Sequence, residues 1–221
     1  MINTPVPVKP PATPGLPSEL TPLEGEPAAL AGLELSEQLV ATRDWSGRDA
    51  AGIQLAECHL EGVSLDEAKL QRAGIRDVVV DGGSWANVDA TGAVVKRVEL
   101  RNTRLTGAAF ANAKIEDVVF VECRLDLASF RFAKLAYVRF EDCLMTESDF
   151  YEAAIKSSVF SSCSLAGASL AAVTFADTEL RGCDLTAIGN AERLRGARMT
   201  LGDLIQSADT LAAGLGIEIV E

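Results

Sequence analysis

Residues 118–185 read VVF-VECRL-DLASF-RFAKL-AYVRF-EDCLM-TESDF-YEAAI-KSSVF-SSCSL-AGASL-AAVTF-ADTEL-RGCDL, with each block ending at a residue number divisible by five. The block ends are Phe120, Leu125, Phe130, Leu135, Phe140, Met145, Phe150, Ile155, Phe160, Leu165, Leu170, Phe175, Leu180 and Leu185, all large and apolar. Two residues before each centre stands a compact side chain, from Val118, Cys123 and Ala128 to Val173, Thr178 and Cys183. This period suits neither an α-helix, at about 3.6 residues per turn, nor a flat strand, at about 2. It is the mark of a solenoid whose turns stack on one another.

The phase holds upstream without a slip. Every fifth residue from Val40 to Leu185 is apolar, Trp45, Ala50, Trp85 and Ala90 included. In a chain that is 48% apolar, chance would produce such a run about once in a billion.

The units Ala68-Lys69-Leu70-Gln71-Arg72, Ala108-Ala109-Phe110-Ala111-Asn112, Ala128-Ser129-Phe130-Arg131-Phe132 and Ala168-Ser169-Leu170-Ala171-Ala172 resemble the pentapeptide-repeat family, whose loose motif is A-[DN]-[LF]-x-x. The Asp of that motif stands before the centre at Asp89, Asp149 and Asp184, while many other units lack it. The resemblance covers about two-thirds of the chain and implies an all-β solenoid, a right-handed quadrilateral parallel β-helix with four units per coil. Some similar proteins, among them the fluoroquinolone-resistance families, bind DNA gyrase in place of DNA.

A coil of twenty residues can be checked against the sequence itself. Cys123, Cys143, Cys163 and Cys183 then form one column, and Phe110, Phe130 and Phe150 another. Phe120, Phe140 and Phe160 form a third, across the interior. Like stacks on like, so successive coils pack equal volumes. The fifth cysteine, Cys58, also occupies the compact inward position, and the spacing matches no Cys-x-x-Cys metal clip. All five are expected to be packed free thiols. No cofactor and no metal are expected.

At 221 residues the chain reads as one domain with tails. All eight prolines lie at or before Pro27. The expected organisation is a proline-rich extended tail at 1–17 and an N-terminal cap and transition at 18–39. The β-helix follows at 40–187, then a C-terminal cap of helix and strand at 188–221. Pro7-Val8-Lys9-Pro10 matches P-x-x-P, though a mobile tail, or one lying on the solenoid wall, is the simpler reading. Thr200 and Asp203 are spaced as a capping box for a helix over 201–213, and Ile217–Val220 reads as a strand added to the last coil. That helix is expected to cover the open end; a homodimer joined end to end through it is the alternative. No apolar run is long enough to span a membrane and no signal-peptide layout is seen, so a cytoplasmic protein is expected.

Enzyme activity is not expected. The single histidine, His59, points outward with no Ser or Cys nucleophile beside it, and no Gly-rich phosphate loop leads from strand to helix. The sharpest functional signal is a set of apolar residues away from the centres: Leu127, Phe132, Tyr137, Leu144 and Tyr151, all within two neighbouring coils. They point to a rigid interaction module presenting an apolar patch to a protein partner. The proline-rich tail, or the C-terminal segment, is the other candidate to cover it.

The runner-up is DNA mimicry directed at gyrase, carried by acidic faces that include Glu61, Asp81, Glu99, Glu122, Asp126, Glu141, Asp142, Glu147 and Glu179. The net charge is −12. By side, the coils centred on Leu60 to Leu180 carry seven acids and three bases, and those on Leu65 to Leu185 five and two. The Leu70 side balances, and the Ile75 side is basic, with six bases and four acids. The acidic sides are therefore mild and interrupted by arginine, which ranks mimicry second. Direct nucleic-acid binding is not expected.

Overall fold

The computed structural model describes residues 7–220; the first six residues of the proline-rich tail and Glu221 lie outside them. The described chain forms one all-parallel solenoid of about nine turns. Each coil pairs with the next twenty residues on: Leu55 opposes Ile75, Ile75 opposes Val95, and Phe120 opposes Phe140. The four sides are numbered here by their centres: side one holds Leu60 and Phe120, side two Leu65 and Leu125, side three Leu70 and Phe130, side four Ile75 and Leu135.

Sides four and one carry the long strands, such as Lys114–Val121 and Lys134–Glu141. Sides two and three are joined by single bridges, such as Ser64 to Ser84 and Lys69 to Asp89. Backbone groups there are still paired coil to coil: the Leu65 amide donates to the Ser84 carbonyl at 2.7 Å and the Leu70 amide to the Asp89 carbonyl at 2.7 Å. Parallel stacking thus satisfies the buried main chain on every side.

The sheet extends past residues 40 and 187 in both directions. Thr21–Pro22 pairs with Gln38–Leu39, and Glu34–Ser36 with Gln54–Ala56. Leu30 is buried under the first coil, and the Trp45 indole N–H donates to Glu26 Oε1 at 2.7 Å. At the other end, Ala197–Met199 pairs with Thr178–Leu180. The strand expected at Ile217–Val220 is not formed. The row at Thr178–Leu180 is already taken by Ala197–Met199, which precedes that segment in the chain. The single helix expected over 201–213 is two short ones, α1 (Leu201–Gln206) and α2 (Ala208–Gly214), broken at Ser207. The capping box is present: Asp203 N donates to Thr200 Oγ1 at 3.1 Å, and Thr200 N donates to Asp203 Oδ2 at 3.3 Å. Ile188, Ala191 and Leu194 are buried against the last coil, and Leu211 of α2 packs beside them.

Two phenylalanine columns fill the middle of the rod. Phe120, Phe140 and Phe160 stack at 4.8 and 4.7 Å, and Phe110, Phe130 and Phe150 at 5.3 and 5.0 Å. The columns meet edge to face, with Phe130 6.1 Å from Phe140 at 82°. Phe140 therefore touches two rings in its own column and one across the core. The cysteine column is likewise inward and unbridged: Cys143 Sγ donates to the Phe120 carbonyl and Cys163 Sγ to the Phe140 carbonyl. The adjacent thiol and burial push Cys143 and Cys163 up to about 12, and Cys183 rises for the same reasons. Cys123, at the foot of the column, moves the other way because Cys143 donates to it, but it is 1% exposed.

Phe140→Ala removes a ring that touches three others and is expected to lower stability by about 3–5 kcal/mol, read as a fall in urea midpoint at unchanged slope. The thiolate is the reactive form, so the native protein should label slowly with a thiol reagent, Cys183 first because it alone of the five is not fully buried. Fast labelling of Cys123, Cys143 and Cys163 without denaturant would contradict the stacked column.

Candidate protein-contact surface

Every unit turns its corner two residues after the centre, with the backbone in the left-handed region. Glycine takes that conformation without strain, as at Gly62 (φ 59) and Gly182 (φ 59). Leu127 (φ 60), Phe132 (φ 59) and Tyr137 (φ 55) take it at three successive corners of one coil, at a cost of about 1–2 kcal/mol each. Three successive corners of a four-sided rod face different ways, so the five apolar residues singled out from sequence divide into groups.

One group is the corner between sides three and four. Phe132 and Tyr151 meet edge to face, ring centroids 5.4 Å apart at 84°. The Arg131 guanidinium lies 4.4 Å from the Tyr151 ring centre and 5.7 Å from that of Phe132. Its Nη1 is held by Asp149 Oδ2 at 2.6 Å. Phe132 remains 42% exposed and Tyr151 half-buried. A second group, Leu127 (57% exposed) and Leu144 (42%), lies on side two and its corner; the Leu127 amide donates to the Thr146 carbonyl at 2.9 Å. Tyr137 stands apart from both, at the corner between sides four and one.

Tyr137 is covered by the N-terminal segment. Residues 7–17 run along that corner, parallel to the rod axis. Pro7 lies beside Glu179 and Arg181, Lys9 Nζ sits 5.6 Å from the Tyr137 ring centre, and the amides of Ala12 and Gly15 donate to Asp117 Oδ1 (2.9 Å) and Asp77 Oδ1 (3.1 Å). Val8 is buried, and Pro11, Pro14, Pro17 and Leu20 are half-buried, every third residue turning inward. That is the period of a polyproline II helix. Its turn rises about 9.3 Å, against about 9.6 Å for two coils, which matches the spacing of Asp77 and Asp117. Asp77 is buried, and the Arg97 guanidinium, at 2.6 Å, holds its carboxylate below the ordinary range. The signal was present in the sequence as Val8-x-x-Pro11-x-x-Pro14-x-x-Pro17-x-x-Leu20, a three-residue pattern that a search for fives passes over.

The acidic residues are brought together less than their number suggests. Glu61 and Asp81 flank His59, with Asp81 Oδ2 2.9 Å from its Nε2. Glu99 pairs with Arg101 at 2.8 Å, Glu141 with Arg139 at 3.4 Å, and Glu179 with Arg181 and, at 3.5 Å, Arg198. Glu122, Asp126, Asp142 and Glu147 make no ion pair among the described residues and lie on side two and its first corner.

Cys58, next to His59 in sequence, turns its Sγ inward to the Ala56 carbonyl at 3.1 Å, away from the imidazole. Among the described residues no cluster of His, Cys, Asp and Glu could hold a metal ion. Nor is any of their helices long and apolar enough to cross a membrane.

Comparison with known proteins agrees with the architecture. A family profile described as "Pentapeptide repeat region" matches residues 93–170, and "Pentapeptide repeats (8 copies)" matches 156–187. No curated protein matches the sequence. Among solved structures, a trypsin-treated form of QnrB1, a plasmid-mediated fluoroquinolone resistance protein, is 18% identical with a TM-score of 0.45, over 86% of this chain and 92% of that one. HetL, involved in heterocyst differentiation regulation in the cyanobacterium Nostoc sp. strain PCC 7120, is 16% identical with a TM-score of 0.29, over 79% of this chain and 93% of that one. At these scores and identities the two likenesses carry no argument about function.

Removing residues 1–17 is expected to leave the solenoid intact by circular dichroism while making Tyr137 react faster with a phenol-modifying reagent, Tyr151 unchanged. Equal Tyr137 reactivity in both forms would show that the segment does not cover it. The pH dependence follows from Asp77. Its folded carboxylate titrates below the unfolded value of about 3.9, so its contribution is present above that value and is lost as pH falls through the lower one. The segment should therefore stay seated from about pH 7 to about pH 5 and loosen only in stronger acid.

Proposed function

The chain belongs to the pentapeptide-repeat family, and we propose that it works as a non-catalytic, rigid protein-interaction module that meets its partner at the Phe132–Tyr151 corner. One observation carries this reading. The repeat has an inward home for phenylalanine, used at seven positions, yet Phe132 sits outside at 42% exposure in a strained corner conformation. Burying such a ring against a partner would contribute about 1.5–3 kcal/mol, more than the corner costs. Tyr and Arg beside it are the residue types that dominate interface energetics. Leu127 and Leu144 would form a separate, smaller contact on side two. The free, packed thiols suit a reducing compartment, which supports a cytoplasmic setting. A homodimer would use the far end, where α1 leaves Leu201 and Ile205 74% and 68% exposed.

The gyrase reading keeps the support of Glu122, Asp126, Asp142 and Glu147, the named acids that make no ion pair among the described residues. It ranks second because the other five of the nine named acids have a cationic partner or share the imidazole of His59.

Phe132→Ser with Tyr151→Ser touches no core position, so melting should stay near that of the wild type. Capture of a defined partner band from lysate should be lost, while Leu127→Ser should weaken it little. Capture unchanged in the double variant would end the reading. For the alternative, gyrase supercoiling unaffected by micromolar protein would remove mimicry from consideration; inhibition that weakens with salt and with reversal of Glu122 and Asp142 would promote it.

A further inference from the structure

We propose that side four is a docking face for an acidic segment of a partner protein carrying one aromatic or aliphatic anchor. This rests on the Phe132–Tyr151 contact reading and names the chemistry of what arrives there.

The chain holds 32 acids and 20 bases, yet the outward positions of side four from Gln54 to Ala176 carry Arg76, Lys96, Lys114, Lys134 and Lys156 against the single acid Glu116. Glu116 is already taken: Lys96 Nζ lies 2.7 Å from its Oε1. Lys114, Lys134 and Lys156 make no ion pair among the described residues, and all three are exposed.

Lys114 and Lys134 are direct neighbours in the parallel ladder, about 4.8 Å apart. Like charges set opposite each other destabilise a sheet. On side two, Arg104 and Arg124 are stacked in the same way, but Glu122 and Asp126 stand within two residues of Arg124. Lys134 and Lys156 have no acid within two residues, and the one near Lys114, Glu116, is held by Lys96. A cationic row left uncompensated on a strongly acidic protein is what an incoming anion would complete.

The row also has an anchor site on its border. Phe132 turns the corner directly before Lys134, and Arg131 and Tyr151 complete that edge. Lys9 of the N-terminal segment stands over Tyr137 at the opposite edge of the side. Between them the outward residues Ala136, Ala154 and Ala176 are small and leave a flat floor. Lys156 lies two coils, about 9.6 Å, above Lys114 and two residues further along the strand, so the two are about 12 Å apart, the reach of about four residues of extended chain. Carboxylates two or three residues apart would meet this row while a neighbouring ring rested on Phe132. A nucleic-acid strand fits less well, because its dense charge must approach a body of net charge −12.

The test uses the full chain and a fluorescein-labelled peptide of four glutamates flanking one phenylalanine, read by anisotropy at low salt. Wild type should bind, Lys114→Glu with Lys134→Glu should weaken binding at least about tenfold, and added salt should do likewise. Lys69→Glu, exposed on side three, should leave it unchanged. Replacing the peptide's phenylalanine by serine should also weaken it. Equal binding by the Lys114→Glu/Lys134→Glu variant, or no binding by wild type, overturns the proposal. So does tighter binding of heparin or a single-stranded oligonucleotide than of the peptide, which would make this a polyanion face. If that lysine variant still captures the lysate partner and the Phe132/Tyr151 variant does not, the interaction module stands and the acidic partner falls.

Discussion

The structure depends on one constraint: each coil closes after twenty residues and lays its backbone on the coil before. Every inward side chain then sits about 4.8 Å from the residue twenty positions away and must share its volume. Phenylalanine lies on phenylalanine at 4.7 to 5.3 Å, and a thiol on a thiol. The same closure forces the left-handed corner in every unit, because an inward-facing centre must be followed by a turn before the next compact residue points in. Stability in such a rod is a sum of neighbour contacts, so a residue matters to the coils above and below it and little beyond.

That constraint decides what could be read in the sequence. Inward positions repeat, so the fold, the phase and the facing phenylalanine columns were legible from spacing alone once four units were assigned to a coil. Outward positions answer to no repeat. Phe132 stood out only because it was in the wrong place; its edge-to-face contact with Tyr151 is a diagonal one, since twenty-residue spacing sets Phe132 beneath Glu152. Arg131 escaped notice although twenty-residue spacing sets it directly beneath Tyr151: a search for misplaced apolar residues passes over a cation. The pairing of Glu99, Glu141 and Glu179 with nearby arginines was invisible because it depends on rotamers. At the C-terminus, local preference misled. Ile217-Glu218-Ile219-Val220 has the better strand composition, but Ala197–Met199 comes first in the chain and takes the Thr178–Leu180 edge, and position outweighs propensity there.

The N-terminal segment obeys a different period, so its place on the wall was expected but its register was not. A polyproline helix turns every three residues, and one turn nearly equals two coils. The match lets a segment without any backbone ladder of its own follow the rod: the proline side chains face in, and the amides of Ala12 and Gly15 find carboxylates. Proline restricts the unfolded chain as well, so less entropy is lost on seating. The segment takes Tyr137 out of the apolar surface and leaves Phe132 and Tyr151 in it. The contact corner is thus narrower than the sequence pattern suggested, and better defined.

A solenoid of this kind separates two problems that most folds solve together. The core is set by two positions in five, and the rest of each unit is free to carry any charge without disturbing it. Net charge therefore says little about any one side. With −12 overall, sides one and two are net acidic, yet side four presents three lysines that make no ion pair among the described residues. Screening shortens the reach of the distant acids to about 8–10 Å, so a ligand at side four responds to the lysines beneath it more than to the body behind. The partner is then selected by the local row and the ring at its edge, and the acidic remainder of the rod works against the binding of long polyanions. Both effects favour a short acidic segment with an apolar anchor over a nucleic acid of the same local charge.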